Sequence, residues 1–128
     1  MLYIAIADVT DKVINAFNLE SPVDYIALAD EEMLSLAEEK GVDVDNIAAT
    51  PHKVVRDYLI AFLCARVALD KFGVNDVQNP ENEKYFVKYK WYDKRAGQLR
   101  QRITQEMVAD EVDLMRDRVT NTGLLFRG

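Results

Sequence analysis

Between Thr50 and Gly73 the chain carries a stretch that is apolar on nearly every side of a helix. Val55, Tyr58, Leu59, Phe62, Leu69 and Phe72 recur at three- and four-residue steps, and Ile60, Leu63, Cys64, Val67 and Ala68 widen the stripe around most of the circumference. Thr50-Pro51 supplies a start signal, a cap residue followed by proline at the first helical position, and Gly73 supplies the stop. A helix apolar all round has to be surrounded. The rest of the chain is therefore expected to pack around residues 51 to 72.

Helical spacing elsewhere provides the surround. Residues 3 to 7 read as a short strand or an extended lead-in. Asp8 or Thr10 caps a first helix with Val9, Val13, Ile14 and Phe17 at helical spacing. Ser21-Pro22 opens a second helix that runs to about Lys40 and places Ile26, Ala29, Met33, Leu36 and Ala37 on one face; Gly41 ends it. Residues 42 to 49 form a connector with room for one helical turn after Asp45. Asn79-Pro80 repeats the cap-plus-proline start, and a last long helix is expected from about Pro80 to Asp110. Its seam is Tyr85, Tyr89, Tyr92, Ala96, Leu99, Ile103 and Met107, with Gly97 as a point of bending. At 1.5 Å per residue that helix is about 45 Å long, more than a compact core of this size spans. The seam is read as docking on the third helix, or in part as a contact with another subunit. The expected fold class is mainly α: a compact bundle of about four helices, one of them long and C-terminal, with a short extended C-terminal tail. Residues 1 to 110 form the helical domain and 111 to 128 the tail or arm. The 128 residues suffice for one domain.

Charge is segregated along the chain. Residues 1 to 50 hold 11 acidic and 2 basic residues, a net −9, and residues 51 to 128 hold 11 and 14, a net +3. The second helix has an acidic outer face that includes Glu31 and Glu38. The sharpest basic block runs from Lys84 to Arg102, seven cations against Asp93 alone, and includes Lys88, Arg95 and Arg102. Phe86, Val87 and Trp91 lie off the buried stripe of the same helix, where a lone domain has little need of them. Leu124-Leu125-Phe126 gives the tail an apolar end that calls for a cover, either the domain itself or a neighbouring chain. The candidate interface residues are thus Phe86, Trp91, Lys88, Arg95, Arg102, Glu31, Glu38, Leu124, Leu125 and Phe126. A solvated face accounts for the charges equally well. Opposite charges on two sides of one subunit suit head-to-tail association. Basic residues interleaved with aromatics also fit phosphate contacts. The overall net charge of −6 favours association.

The sequence is poor in catalytic patterns. Its single cysteine, Cys64, permits no intrachain disulfide, and its single histidine, His52, excludes a His-rich metal site. Twelve helical residues, about 18 Å, separate the two. There is no glycine-rich phosphate loop, no Cys-Cys or His-Glu-x-x-His zinc pattern and no Glu-x-x-His pair for di-iron. No catalytic residue, cofactor or metal is expected, and the chain is read as a non-enzyme. The longest uncharged run in mid-chain, Tyr58 to Ala65, is far below the roughly 20 residues of a membrane span, so no membrane partner is expected. Met1 to Ala7 lacks a basic leader and meets Asp8 at once, which predicts a cytoplasmic site of synthesis.

The order of elements resembles a known family. A short segment with Tyr3-Ile4 precedes an opening helix and an acidic second helix. Thr50-Pro51 leads into a long apolar helix, Asn79-Pro80 into a long Tyr- and Arg-rich helix, and a turn at Asn121-Thr122-Gly123 precedes an apolar end. This resembles the small helical head-to-tail connector proteins of tailed bacteriophages, also called adaptor or head-completion proteins. The resemblance covers most of the chain and is one of architecture and size. It implies a structural virion protein of the phage neck, a homo-oligomer that docks on the portal ring, typically as twelve copies, and forms a platform for the next neck or tail protein. DNA would pass through the channel without sequence-specific contact. The implied arm is Val119 to Gly128, and the implied lateral surfaces are the acidic face of 30 to 39 and the basic face of 84 to 102. The alternative is a small cytoplasmic regulator that binds a partner helix or nucleic acid through 84 to 102.

Overall fold

The computed structural model describes residues 3–21, 23–74 and 82–109. Five α-helices form among them: α1 (Lys12–Asn15), α2 (Tyr25–Glu39), α3 (Lys53–Val74), α4 (Asn82–Arg102) and α5 (Gln105–Val108). Single 3-10 turns occupy Ile6–Asp8 and Val44–Asn46. The fold is mainly α, as the spacing predicts, and three of these helices are long. The first helix is cut to a single turn, and Ile6–Asp8, which takes in the end of the segment 3 to 7 expected as a strand or extended lead-in, makes a 3-10 turn. The expected tail, with Leu124, Leu125 and Phe126, lies outside the described residues, as do Pro22, Asn79 and Pro80.

α3 is the central helix. It packs along α4, against α2 on another side, and touches α1 and α5. Val55, Leu59, Leu63, Cys64 and Val67 are almost fully buried on it, and they meet Ile14, Leu19, Met33, Leu36 and Val108 from the elements around. Fully burying a side chain of this size contributes roughly 1.5–3 kcal/mol, so this contiguous cluster dominates the stability of the domain. The expected seam of α4 docks here: Ala96, Leu99 and Ile103 are buried, and Tyr89, Tyr92 and Met107 pack partly buried against the same core.

Helix ends depart from the expected positions by a few residues, each for a local reason. α2 starts at Tyr25, where Asp24 accepts the Ala27 N–H at 3.0 Å, and not at Ser21-Pro22. Asp11, rather than Asp8 or Thr10, caps α1. α3 begins two residues after Pro51: the His52 imidazole Nδ1 accepts the Val54 N–H at 3.1 Å and takes the capping role expected of Thr50. α3 also runs through Gly73 to Val74. Gly41 does end α2. Its φ of +74° is the left-handed conformation that favours glycine. Its N–H donates to Glu38 O at 3.1 Å, and the Val42 N–H donates to Ala37 O at 2.8 Å, the paired bonds of a Schellman stop.

The last long helix is shorter than its seam suggested. α4 stops at Arg102, and Ile103-Thr104 breaks the chain before the single turn of α5. Both residues are β-branched, and Thr104 is extended, at φ −108° and ψ 165°. Twenty-one residues make a helix of about 31 Å, which packs along the 22-residue α3 and matches it in length. Beyond α5, Ala109 bridges Ile47 in an isolated antiparallel pair, the Ala48 N–H donates to Val108 O at 3.1 Å, and the His52 N–H donates to Met107 O at 3.3 Å. The connector before α3 is thereby tied to the end of the described chain.

Candidate interaction surfaces

Helical period separates two sets within the basic block of α4, with Lys90 and Lys94 in neither. Successive residues turn by about 100°. Arg100 therefore lies about 140° around the axis from Arg95. It faces α2, where it donates to Glu32 Oε1 at 2.6 Å, to Glu39 and to the Tyr58 hydroxyl. Tyr58 itself donates to Glu32 Oε1 at 2.6 Å. Burial raises the Tyr58 phenol above its ordinary range, and the hydrogen bond to Glu32 raises it further. One cation of the block and two carboxylates of the acidic helix are thus joined inside a single subunit.

Lys88, expected at an interface, is also committed internally. Its Nζ lies 2.8 Å from Asp11 Oδ2, the oxygen that also accepts the Tyr92 hydroxyl. The other carboxylate oxygen caps α1, accepting from the Val13 and Ile14 N–H groups at 2.9 and 3.2 Å. Burial pushes the Asp11 carboxyl up, but the hydrogen bonds from Lys88, Tyr92 and the Ile14 N–H, with the Lys88 charge, outweigh it and hold the group down at about 2. Behind it, burial and the Asp11 charge push the Cys64 thiol up to about 12.

The second set points outward. Lys84, Trp91, Arg95 and Arg102 fall within about 40° of one another on the helix, and none of them enters an ion pair among the described residues. Trp91 is 59% exposed and Val87, four residues earlier, is 63% exposed. They form an apolar bump on a cationic ridge. Beside the ridge runs an open groove of about 350 Å³ between α3 and α4, roofed by Asp8, Thr10 and Asp11 and lined further by Lys53, Asp57 and Arg95. Phe86 stands on the opposite flank, its ring 5.0 Å from that of Phe72 and covered by Lys90 at 4.5 Å. The structure therefore separates Phe86 from Trp91.

α2 divides in the same way. Glu32 and Glu39 turn toward Arg100, while Glu31 and Glu38 stay exposed on the outer face with Leu34 between them. The C-terminal end of this face opens into a second groove, of about 530 Å³, lined by Leu34, Ser35, Glu38, Gly41, Asp43 and Val44. Leu34 and Val44 are 39% and 63% exposed. Of the expected interface residues, then, Trp91, Arg95 and Arg102 share one surface, Glu31 and Glu38 share another, and Lys88 and Phe86 belong to neither. Sequence reasoning missed Leu34, which the helical period places between Glu31 and Glu38, and Asp11, whose spacing to Ile14 was its one signal. It also missed Val44, for which the sequence carries no signal.

Among the described residues no cluster of His, Cys, Asp or Glu is arranged to hold a metal, and no helix is long and apolar enough to cross a membrane. No family model, no curated protein and no solved structure matches the chain.

Proposed function

We propose that the chain is a structural subunit of a phage neck, a head-to-tail connector that docks on the portal ring and assembles with copies of itself around the DNA channel. The observation that carries this reading is the presence of two unsatisfied surfaces of opposite sign on one small helical body. The ridge of Trp91, Arg95 and Arg102 lies on α4, and the face of Glu31, Leu34 and Glu38 lies on α2. Neither charge set is neutralised by an ion pair among the described residues. A body built this way suits lateral packing of identical subunits, and the order of elements that resembles the connector proteins supplies the setting. The net charge of −6 suits a wall past which DNA slides without being gripped. The subunit would be made in the host cytoplasm and end in the virion neck, with the portal protein below and the next neck or tail protein above.

The exposed indole of Trp91 among cations favours one alternative, a small regulator that stacks a nucleobase and pairs phosphates along the ridge. The experiment that separates the two is sedimentation of the purified chain, alone and with the portal ring from the same genome, beside titration with a short single-stranded oligonucleotide at low and high salt. Co-sedimentation with the portal and no oligonucleotide binding supports the connector. Salt-sensitive oligonucleotide binding without portal association overturns it.

A further inference from the structure

Resting on the reading that the chain associates with copies of itself, we infer that the contact is heterologous: Trp91 of one copy seats in the Leu34–Val44 groove of the next, with Arg95 set against Glu38.

Charge decides which surfaces can meet. Ridge against ridge would bring Lys84, Arg95 and Arg102 of one copy against the same cations of another. Groove against groove would bring Glu31, Glu38 and Asp43 together. Like charges brought together at an interface cost several kcal/mol, so both symmetric pairings are disfavoured and ridge against groove remains. Shape agrees with charge. The ridge is convex, with two side chains more than half exposed at its crest, and the groove is concave, with a volume of about 530 Å³ and two exposed apolar residues on its wall. Spacing agrees as well. Trp91 and Arg95 are four residues apart on α4, and Leu34 and Glu38 are four residues apart on α2, so each apolar–charged pair spans about 6 Å along its helix.

The same indole in a desolvated pocket, ringed by charges, is the composition of an interface hot spot. The two surfaces sit on different helices, both packed on α3. A contact that uses two different patches leaves one of each unfilled on every pair. It therefore propagates, closing into a ring when the rotation per step allows.

Sedimentation velocity across a concentration series, on the full chain and on five variants, tests this. Trp91→Ala is expected to weaken self-association by about thirtyfold. Arg95→Glu and Glu38→Arg are each expected to weaken it by about tenfold, and the double variant Arg95→Glu/Glu38→Arg to recover most of the loss. Gln101→Ala, at an exposed position about 100° round the same helix from the ridge, is expected to change it little. All these side chains are solvent-facing, so circular dichroism and the thermal midpoint should stay at wild-type values. As a positional check, Arg95→Cys and Glu38→Cys chains mixed one to one should cross-link to each other with a short bismaleimide, while neither cross-links with itself. Cys64 is buried and does not compete. Wild-type self-association that survives all three single variants, or a double variant no better than the singles, overturns this contact and leaves the connector reading standing. A wild-type chain that stays monomeric at every concentration and on the portal ring overturns both. Loss of oligonucleotide binding in Trp91→Ala with self-association intact assigns the ridge to nucleic acid and also overturns the contact.

Discussion

Replacing Asp11 by Asn isolates the charge at a carboxylate that accepts from two backbone N–H groups, Lys88 and Tyr92. The amide keeps an oxygen for the Val13 and Ile14 N–H groups, and asparagine is as good a cap as aspartate. It replaces the other oxygen by a donor that faces two donors, the Lys88 ammonium and the Tyr92 hydroxyl. The folded carboxyl sits at about 2 against an ordinary 3.8, and each unit of such a difference is worth about 1.4 kcal/mol. Both side chains keep some contact with water, at 13% and 29% exposure, and screening reduces the net figure to about 1–2 kcal/mol. The sign fixes the pH window. A folded value below the unfolded one means the contribution is whole above about pH 4 and is lost as pH falls from there toward 2. Urea denaturation at pH 7 should therefore show Asp11→Asn less stable than wild type by that amount, with an unchanged slope. The two curves should converge as the pH falls below 2, where the wild-type carboxyl becomes protonated in the folded state too. A variant as stable as wild type at pH 7, or one whose deficit is undiminished in acid, refutes the assignment of this carboxylate as the tie between the N-terminal segment and α4.

Three further outcomes follow from individual residues. Gly97 is helical, exposed and has no atom within 4 Å of an added Cβ, so Gly97→Ala should raise stability by about 1 kcal/mol in the same urea assay. Gly41→Ala should lower it by about 1–2 kcal/mol, because only the left-handed φ is at issue and the nearest atom to a new Cβ, Gln105 Nε2, stands at an ordinary 3.7 Å. Cys64, buried and held as a thiol up to about pH 12, should react with a maleimide or an aromatic disulfide only as fast as the domain unfolds; prompt labelling of the native chain would contradict the packing described for it.

How far the sequence reaches can be followed residue by residue. The core positions of α2, the central place of α3 and the seam of α4 all follow from a three- and four-residue period, since burial is what writes that period. The Gly41 stop was legible because a left-handed residue has few substitutes. Ends marked by proline were less so: proline at 51 restricts the residue before it toward extended backbone, but the imidazole of His52 outcompeted Thr50 for the cap by being two residues closer to the first free N–H groups. α4 is shorter than its pattern because the hydrophobic period passes through Ile103, buried in the core, and Met107, packed partly buried against it, although the helix itself is broken between them. A break that preserves side-chain direction leaves no trace in a hydrophobic pattern.

The candidate surfaces expose a deeper limit, and with it the reason the block at 84 to 102 invites two readings. A run of like charges counted along a sequence is a single quantity, whereas on a helix it is distributed around an axis. Arg100 and Lys88 are drawn to partners that the sequence places far away, 61 and 68 residues for the two glutamates of Arg100 and 77 for the aspartate of Lys88. What remains on the ridge is a narrower line, Lys84, Arg95 and Arg102 around an indole, with Lys90 and Lys94 exposed about 80–120° away round the helix. Three cations on one edge are too few to offset an acidic body for tight, sequence-blind binding of a polyanion, whose affinity grows with each phosphate neutralised. They are enough to choose orientation at a small interface, where a few complementary charges set register and a buried aromatic supplies most of the affinity. The internal pairing of Arg100 and Lys88 is therefore an argument about partners as well as about stability, because it removes the two cations that would have made the ridge a stronger match for nucleic acid than for the acidic face of a second copy.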